Sequence, residues 1–325
     1  MARKKRSSAR PPGKKTSKKP RLAIIGAGRI GTAVGRALKD LGYSIDVVIT
    51  AHERSARRAA RQTDAGNWVT AARLNQPRTA EAELFSDIEL LLIATPDDVI
   101  PQVAARLARL LRSSRLKNRS GKRIALHLSG AVSSSVLEPL AEAGFATGSL
   151  HPLVSVSDPS LRSGIFRQVS FCVEGDGAAT RMARSIVRDL GGKSFTIDPK
   201  SKALYHAAAV MASGNAVALF DMAAEMLSRC GLSRRQAQEA LLPLLRSTVE
   251  NLSRNGSSRA LTGPFARGDV ITIRNHLAAL RSRQLGQALE AYLALGERSI
   301  QLGKGRSSDS AKLSKIARIL SEQKH

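Results

Sequence analysis

Apolar and polar positions along the chain fall into two regimes. Up to about residue 198, short apolar runs alternate with amphipathic stretches. Residues 22–25, 45–50, 89–94, 123–128, 146–150, 169–173 and 194–197 read as strands. Helical periodicity fills 30–41, 98–111, 134–143 and 177–190. Buried strands alternating with helices predict a mostly parallel sheet. After Pro199 the pattern changes. Residues 202–229, 233–253, 270–281 and 283–302 follow the helical period, with Ser233 and Asp269 placed as N-caps. Residues 207–220 are apolar nearly all round, which predicts the buried centre of a bundle. The expected fold class is α/β, a doubly wound sheet followed by an all-helical C-terminal domain. The expected segments are a disordered basic tail over 1–20, a nucleotide-binding domain over 21–198, a helical domain over 199–303 and a basic tail over 304–325. That last tail has room for a short helix near 313–320.

The join between the first strand and the first helix carries the strongest chemical signal. It reads Ile-Ile-Gly-Ala-Gly-Arg-Ile-Gly, with Gly26, Gly28 and Gly31 in G-x-G-x-x-G spacing. The context is strand, turn, helix, as a Rossmann-type dinucleotide site requires. Gly26 allows the tight turn, Gly28 lets backbone approach a pyrophosphate, and Gly31 packs the helix on the strand. The helix start, with Arg29 and Ile30 between the glycines, offers free N–H groups and a positive dipole end. The second strand ends in Thr50-Ala51-His52-Glu53-Arg54-Ser55. An NAD-selective site usually has an acid at that strand end. Arg54 and Ser55 suit a 2′-phosphate while Glu53 dissents, so NADP is the expected cofactor and NAD stays open.

Ligands of open α/β sheets bind beyond the carboxyl ends of the strands. Those ends here read Thr95-Pro96-Asp97-Asp98, His127-Leu128-Ser129-Gly130 and His151-Pro152. Thr95, Pro96 and Ser129 are expected around the nicotinamide, and His127 and His151 near a substrate. His127 and Ser129 share a side of their strand. The helix after these strands opens Lys202-Ala203-Leu204-Tyr205-His206. Lys202 and His206, four apart, fall on one helical stripe with Tyr205 beside it. A lysine and a histidine so placed can supply and relay a proton, so Lys202, His206 and Ser129 are the catalytic candidates. The same residues also fit an exposed first-turn lysine and a core histidine. In Thr262-Gly263-Pro264-Phe265-Ala266-Arg267-Gly268-Asp269, Arg267 can clamp a substrate carboxylate.

Composition narrows the classes. The 325 residues suffice for two domains, each with its own core. The formal net charge is +26, and residues 1–20 hold nine Lys or Arg and no acid. Such a run reads as a solvated arm, able to hold phosphate polymers only non-specifically. Aromatics are 3% of the chain, too few for a base-stacking surface. No specific nucleic-acid partner is expected. Cys172 and Cys230 give neither a disulfide framework nor a clustered metal site, which fits a reducing cytoplasm. No apolar run is read as reaching the roughly 18 residues that span a bilayer, so no membrane association is expected. Arg29 and the glycine turn interrupt any signal-like core after the basic tail.

In order and spacing these pieces resemble oxidoreductases that join an N-terminal Rossmann-like domain to a C-terminal domain of the DUF2520 type. The segments that carry the resemblance are Ile-Ile-Gly-Ala-Gly-Arg-Ile-Gly, Leu-Ile-Ala-Thr-Pro-Asp-Asp, His-Leu-Ser-Gly-Ala, Ser-Leu-His-Pro-Leu, Lys-Ala-Leu-Tyr-His-Ala-Ala-Ala-Val and Leu-Thr-Gly-Pro-Phe-Ala-Arg-Gly-Asp. Together they span roughly 21–300, and the family boundary between domains starts near 149. The resemblance implies kinship with pyrroline-5-carboxylate reductases, F420-dependent NADP reductases and 6-phosphogluconate-dehydrogenase-like enzymes. It implies homodimers built through the helical domain. One departure is clear: where the 6-phosphogluconate group resembles Lys-x-x-x-Asn, the position four after Lys202 is His206. The expected function is hydride transfer between NADP and a carbonyl or imine of a small anionic substrate. The alternative is a non-catalytic, NAD(P)-binding regulatory protein.

Overall fold

The computed structural model describes residues 19–75, 82–113, 123–158, 163–303 and 310–323. Among them, eight strands form one sheet: β1 (Arg21–Ile25), β2 (Ser44–Thr50), β3 (Asn67–Thr70), β4 (Leu90–Ile93), β5 (Ile124–His127), β6 (Ala146–Pro152), β7 (Ser170–Gly175) and β8 (Lys193–Phe195). They lie in the order β3-β2-β1-β4-β5-β6-β7-β8. Every pairing is parallel except β6 with β7. The chain leaves β1 for β2 on one side and returns to β4 on the other. That reversal is the switch point of a doubly wound sheet, where ligands bind.

The central strands β1 and β4 are apolar on both faces because both are covered. Leu22 and Ile24 enter one core with Val34 and Leu38 of α1 (Arg29–Asp40) and Ile186 of α5 (Gly177–Asp189). Ala23 and Ile25 enter a second with Leu107 of α3 (Ile100–Ser113) and Leu140 of α4 (Glu138–Glu142). Ala56, Ala59 and Ala60 are the buried face of α2 (Glu53–Thr63), whose other positions are largely arginine. The strand β3 escaped the sequence reading: it is short, and Asn67 and Trp68 are both exposed, so no alternating pattern marks it.

Two compact units divide the chain between Ala209 and Val210. The expected division stood at 198/199; the opening turns of α6 (Lys202–Ala212) belong with the sheet, because Lys202 is buried in it. The second unit holds α7 (Gly214–Ser228), α8 (Arg234–Ala260), α9 (Pro264–Arg267), α10 (Val270–Ser282), α11 (Gly286–Gly303) and α12 (Ser310–Ser321). Ser233 and Gln236 form a capping box at α8, and Asp269 accepts the Thr272 N–H at α10, as their residue types predict.

Four expectations are corrected. The stretch 202–229 is two helices, because Ser213 leaves the helical region at φ −123°, ψ −78°. Residues 207–220 are not buried in this chain: Met211 is 67% and Val217 69% exposed. The segment Pro199–Ser228 is long and apolar enough by length and composition to cross a membrane, contrary to the reading of the sequence. An interface helix meets the same criterion. The C-terminal segment is not all tail. In α12, Leu313, Ile316, Ile319 and Leu320 pack with Ile273, Leu277 and Ile300. At the other end, residues 1–18 of the expected tail lie outside the described residues, whereas Lys19 ion-pairs with Asp189 and sits 4.6 Å over the Tyr43 ring.

Candidate cofactor and active site

The glycine turn after β1 is built as the spacing requires. Gly26 has φ +88°, and a Cβ there would lie 2.5 Å from the Thr95 amide nitrogen and 2.6 Å from the Ala94 carbonyl carbon. A Cβ on Gly31 would lie 2.5 Å from the Gly26 oxygen. These two glycines are needed by packing alone. Gly28 differs: nothing lies within 4 Å of its missing Cβ. It is the N-cap of α1 and supplies no side-chain cap, and the first turn contains no acid. The N–H groups of Arg29, Ile30 and Gly31 therefore begin a helix whose positive end is left to a ligand. Arg29 is exposed and Ile30 half-buried.

Beside this turn, the buried Thr95 hydroxyl has no hydrogen-bond partner among the described residues. An orphaned buried hydroxyl next to a bare helix terminus is what a site shaped for a diphosphate and ribose would leave. Pro96 is exposed and caps the turn Asp97–Val99. At the end of β2, Glu53 is engaged by Arg57 at 2.6 Å, and Arg57 lies 5.0 Å over the Trp68 ring. The dissenting acid is thus already paired. Arg54 is exposed and Ser55 half-buried beside it.

A second cluster sits at the ends of β5 and β6. Leu150 and Val173 point into the first core. By the period of two, Ser149, His151, Cys172 and Glu174 point to the opposite face. Register places His151 opposite Cys172 and Ser149 opposite Glu174. His127 ends β5 opposite Ser149. Into this patch reaches Lys202, 2% exposed, whose Nζ donates to the Ser129 carbonyl and the Ser149 hydroxyl, both at 3.1 Å. Tyr205 Oη lies 2.6 Å from His151 Nδ1. His206 meets the His151 ring edge-on, with centroids 5.9 Å apart. Gly130 makes room: a Cβ there would lie 2.8 Å from both His151 Nε2 and His206 Cδ2.

Electrostatics follow from that burial. Desolvation, then the Lys202 charge, push His127 down to about 3, with the Ser133 backbone opposing. Desolvation, Lys202 and His206 push His151 down to about 4, against the pull of Asp97. Both rings are neutral at pH 7. Lys202 is itself lowered by burial, with Cys172, Glu174 and Asp97 acting the other way. His127 Nδ1 accepts the Ser129 N–H at 3.2 Å, and its Nε2 has no partner of hydrogen-bond geometry among the described residues. The Ser129 hydroxyl accepts the Ala131 and Val132 N–H groups, which fixes the loop after β5. Glu174 accepts from the N–H and hydroxyl of Ser134.

The structure therefore gathers Ser129, His127, His151, Lys202, Tyr205 and His206 into one patch of the first unit. Arg267 belongs to the second unit, exposed at the end of α9. Sequence reasoning missed Ser149, Cys172 and Glu174. Their signal was available: Ser149-Leu150-His151 and Cys172-Val173-Glu174 alternate polar and apolar.

Comparison with known proteins bears on this geometry. Residues 8–152 match the family model of a Rossmann-like domain, and residues 169–299 match the domain of unknown function DUF2520. The chain pairs a Rossmann-like domain with a DUF2520 domain. No curated protein matches it significantly. Among solved structures it is similar to a Bacteroides fragilis protein whose description as an NADP oxidoreductase is provisional, with 22% identity, TM-score 0.66, and 88% of this chain and 98% of the other covered. A Thermotoga maritima protein matches with 22% identity, TM-score 0.64 and coverages of 87% and 98%. Plasmodium falciparum pyrroline carboxylate reductase, solved with NADP bound, matches with 14% identity, TM-score 0.53 and coverages of 88% and 98%. At these identities the likenesses establish the shared fold.

Proposed function

We propose that this chain is an NADP-dependent oxidoreductase acting on a carbonyl or imine of a small anionic molecule. The observation that carries the reading is the bare N-terminus of α1 at Gly28, with open space beside it and the orphaned Thr95 hydroxyl as its neighbour. Backbone amides from Arg29 to Gly31 would hold the diphosphate. Thr95, Pro96 and the loop at Ser129 would bound the nicotinamide end, and Arg54 with Ser55 would receive the 2′-phosphate. When bound, a nicotinamide dinucleotide supplies or accepts a hydride. NADP-bound pyrroline carboxylate reductase, similar in fold, supports this cofactor class.

The chain's own residues have separable tasks. Lys202 is sealed in the patch with its ammonium protons committed to Ser129 and Ser149, so it holds the loop after β5 in place. His206 is half-buried rather than sealed, and it is the group we assign to exchange a proton with substrate and solvent. The working form we propose is a homodimer in the cytoplasm: Val217, Leu219, Leu244 and Val249 form an exposed apolar series on α7 and α8, and a second copy of the chain would cover it. The scarcity of aromatic residues disfavours a specific nucleic-acid partner.

Loss of NADPH absorbance against a panel of 2-keto acids and cyclic imines tests the activity. Turnover with at least one member, reduced about tenfold or more in His206→Gln, is the expected result. NADPH binding with no turnover on any member would favour the regulatory alternative instead.

A further inference from the structure

His151 has a hydrogen-bonded neighbour that bears on its tautomer, and the role assigned to it here rests on the oxidoreductase reading. Tyr205 Oη and His151 Nδ1 are 2.6 Å apart. Such a bond has two polarities, depending on which atom carries the proton. The surroundings choose between them. Burial, with Cys172 beside it, raises the Tyr205 phenol, so the hydroxyl keeps its proton. Burial also raises the Cys172 thiol, which stays protonated. A thiol is a poor acceptor and a weak donor, whereas an imidazole nitrogen is a good acceptor. The strong Tyr205 O–H donor is therefore best directed at His151 Nδ1.

We propose that Tyr205 is a positioning residue that fixes His151 as its Nε2–H form, so that a neutral imidazole N–H faces the oxygen or nitrogen of the substrate's reducible double bond. Two features of the patch support this. Charge on the ring is opposed by burial and by Lys202 and His206, and only partly restored by Asp97. The bare backbone of Gly130 admits the Nε2 edge of His151 and the Cδ2 edge of His206 to the same small space, so the two rings stand side by side at the strand ends. A neutral donor suits a reduction. It strengthens its hydrogen bond as negative charge grows on the accepting atom, and it does not repel a cationic nicotinamide. The proton that completes the reduction comes from His206, so His151 needs neither to lose nor to gain one.

The test is histidine tautomer by long-range proton–nitrogen NMR on the full-length protein with 15N-labelled histidine, with His151→Gln identifying the resonances. His151 Nδ1 is expected at the shift of an unprotonated acceptor and Nε2 at that of an N–H, unchanged between about pH 8 and pH 5. In Tyr205→Phe the single form is expected to give way to a mixture. An Nδ1–H form in the wild type, or an unchanged spectrum in Tyr205→Phe, overturns the proposal. Oxamate added with NADPH is the carbonyl probe. Movement of the Nε2 resonance supports the substrate-facing role, and no movement at any oxamate concentration refutes it. NADPH binding is followed in the same samples by its fluorescence. A wild type that fails to bind NADPH defeats the functional reading, whereas one that binds NADPH but carries Nδ1–H defeats only this inference.

Discussion

At the level of single residues, the glycines of the first turn separate packing from ligand binding. Gly26→Ala places a Cβ within 2.6 Å of backbone just beyond β4 at φ +88°, and should cost about 2 to 4 kcal/mol in chemical denaturation. Gly28→Ala meets nothing within 4 Å. It should leave the denaturation midpoint unchanged and weaken NADPH binding by at least about tenfold, because only a bound diphosphate needs that space. Equal destabilisation by both would reduce the motif to a structural turn. Arg54→Ala should lower affinity for NADPH about tenfold and leave NADH affinity nearly unchanged, which titration with each coenzyme would show. These roles were legible in the sequence because spacing fixes them. The partners of Lys202 were not. Its helical position leaves its reach open, and Ser149 lies 53 positions earlier on a strand.

At the level of elements, most strands and helices around the sheet followed from period, within a residue or two for β1, α1 and α5, whereas β3 and α2 did not. The apolar helices at the start of the second unit failed for a plain reason. A helix that is apolar on every side is read as interior, and periodicity alone cannot say whose interior. Residues 207–220 are largely exposed here, as is Leu244. A dimer is therefore expected by sedimentation equilibrium, with Val217→Asp and Leu244→Asp together giving a folded monomer. A wild type that stays monomeric at tens of micromolar would contradict the apolar face as a dimer surface. The last helix was foreseen near 313–320, but its packing as core was not. Its few apolar residues sit among lysines and arginines, and only the packing of Ile316 and Leu320 reveals it as core.

In the molecule as a whole, the buried histidines link stability to pH. His127 and His151 fall from the ordinary 6.5 to about 3 and about 4. Above pH 6.5 both folded and unfolded forms carry neutral rings. Below it the unfolded chain takes up protons that the fold refuses, so stability falls as pH drops toward about 4, at up to about 1.4 kcal/mol per pH unit for each ring. Urea midpoints between about pH 7 and pH 4 should show this slope, reduced in His127→Leu. The same slope in that variant would show that His127 contributes nothing to it. The doubly wound, mostly parallel sheet and the helices that follow it could be read from the alternation of strands and helices and from one glycine turn, whereas the strand order and the antiparallel β7 could not. The polar patch could not, because it depends on three strand ends and a helix from a later part of the chain meeting on one face. Everything proposed for the site depends on the bare start of α1 gripping a nicotinamide dinucleotide. Titration calorimetry of the purified protein with NADPH should give saturable heat at one site per chain, much weakened in Gly28→Ala, and no heat with either reduced or oxidised coenzyme would contradict it.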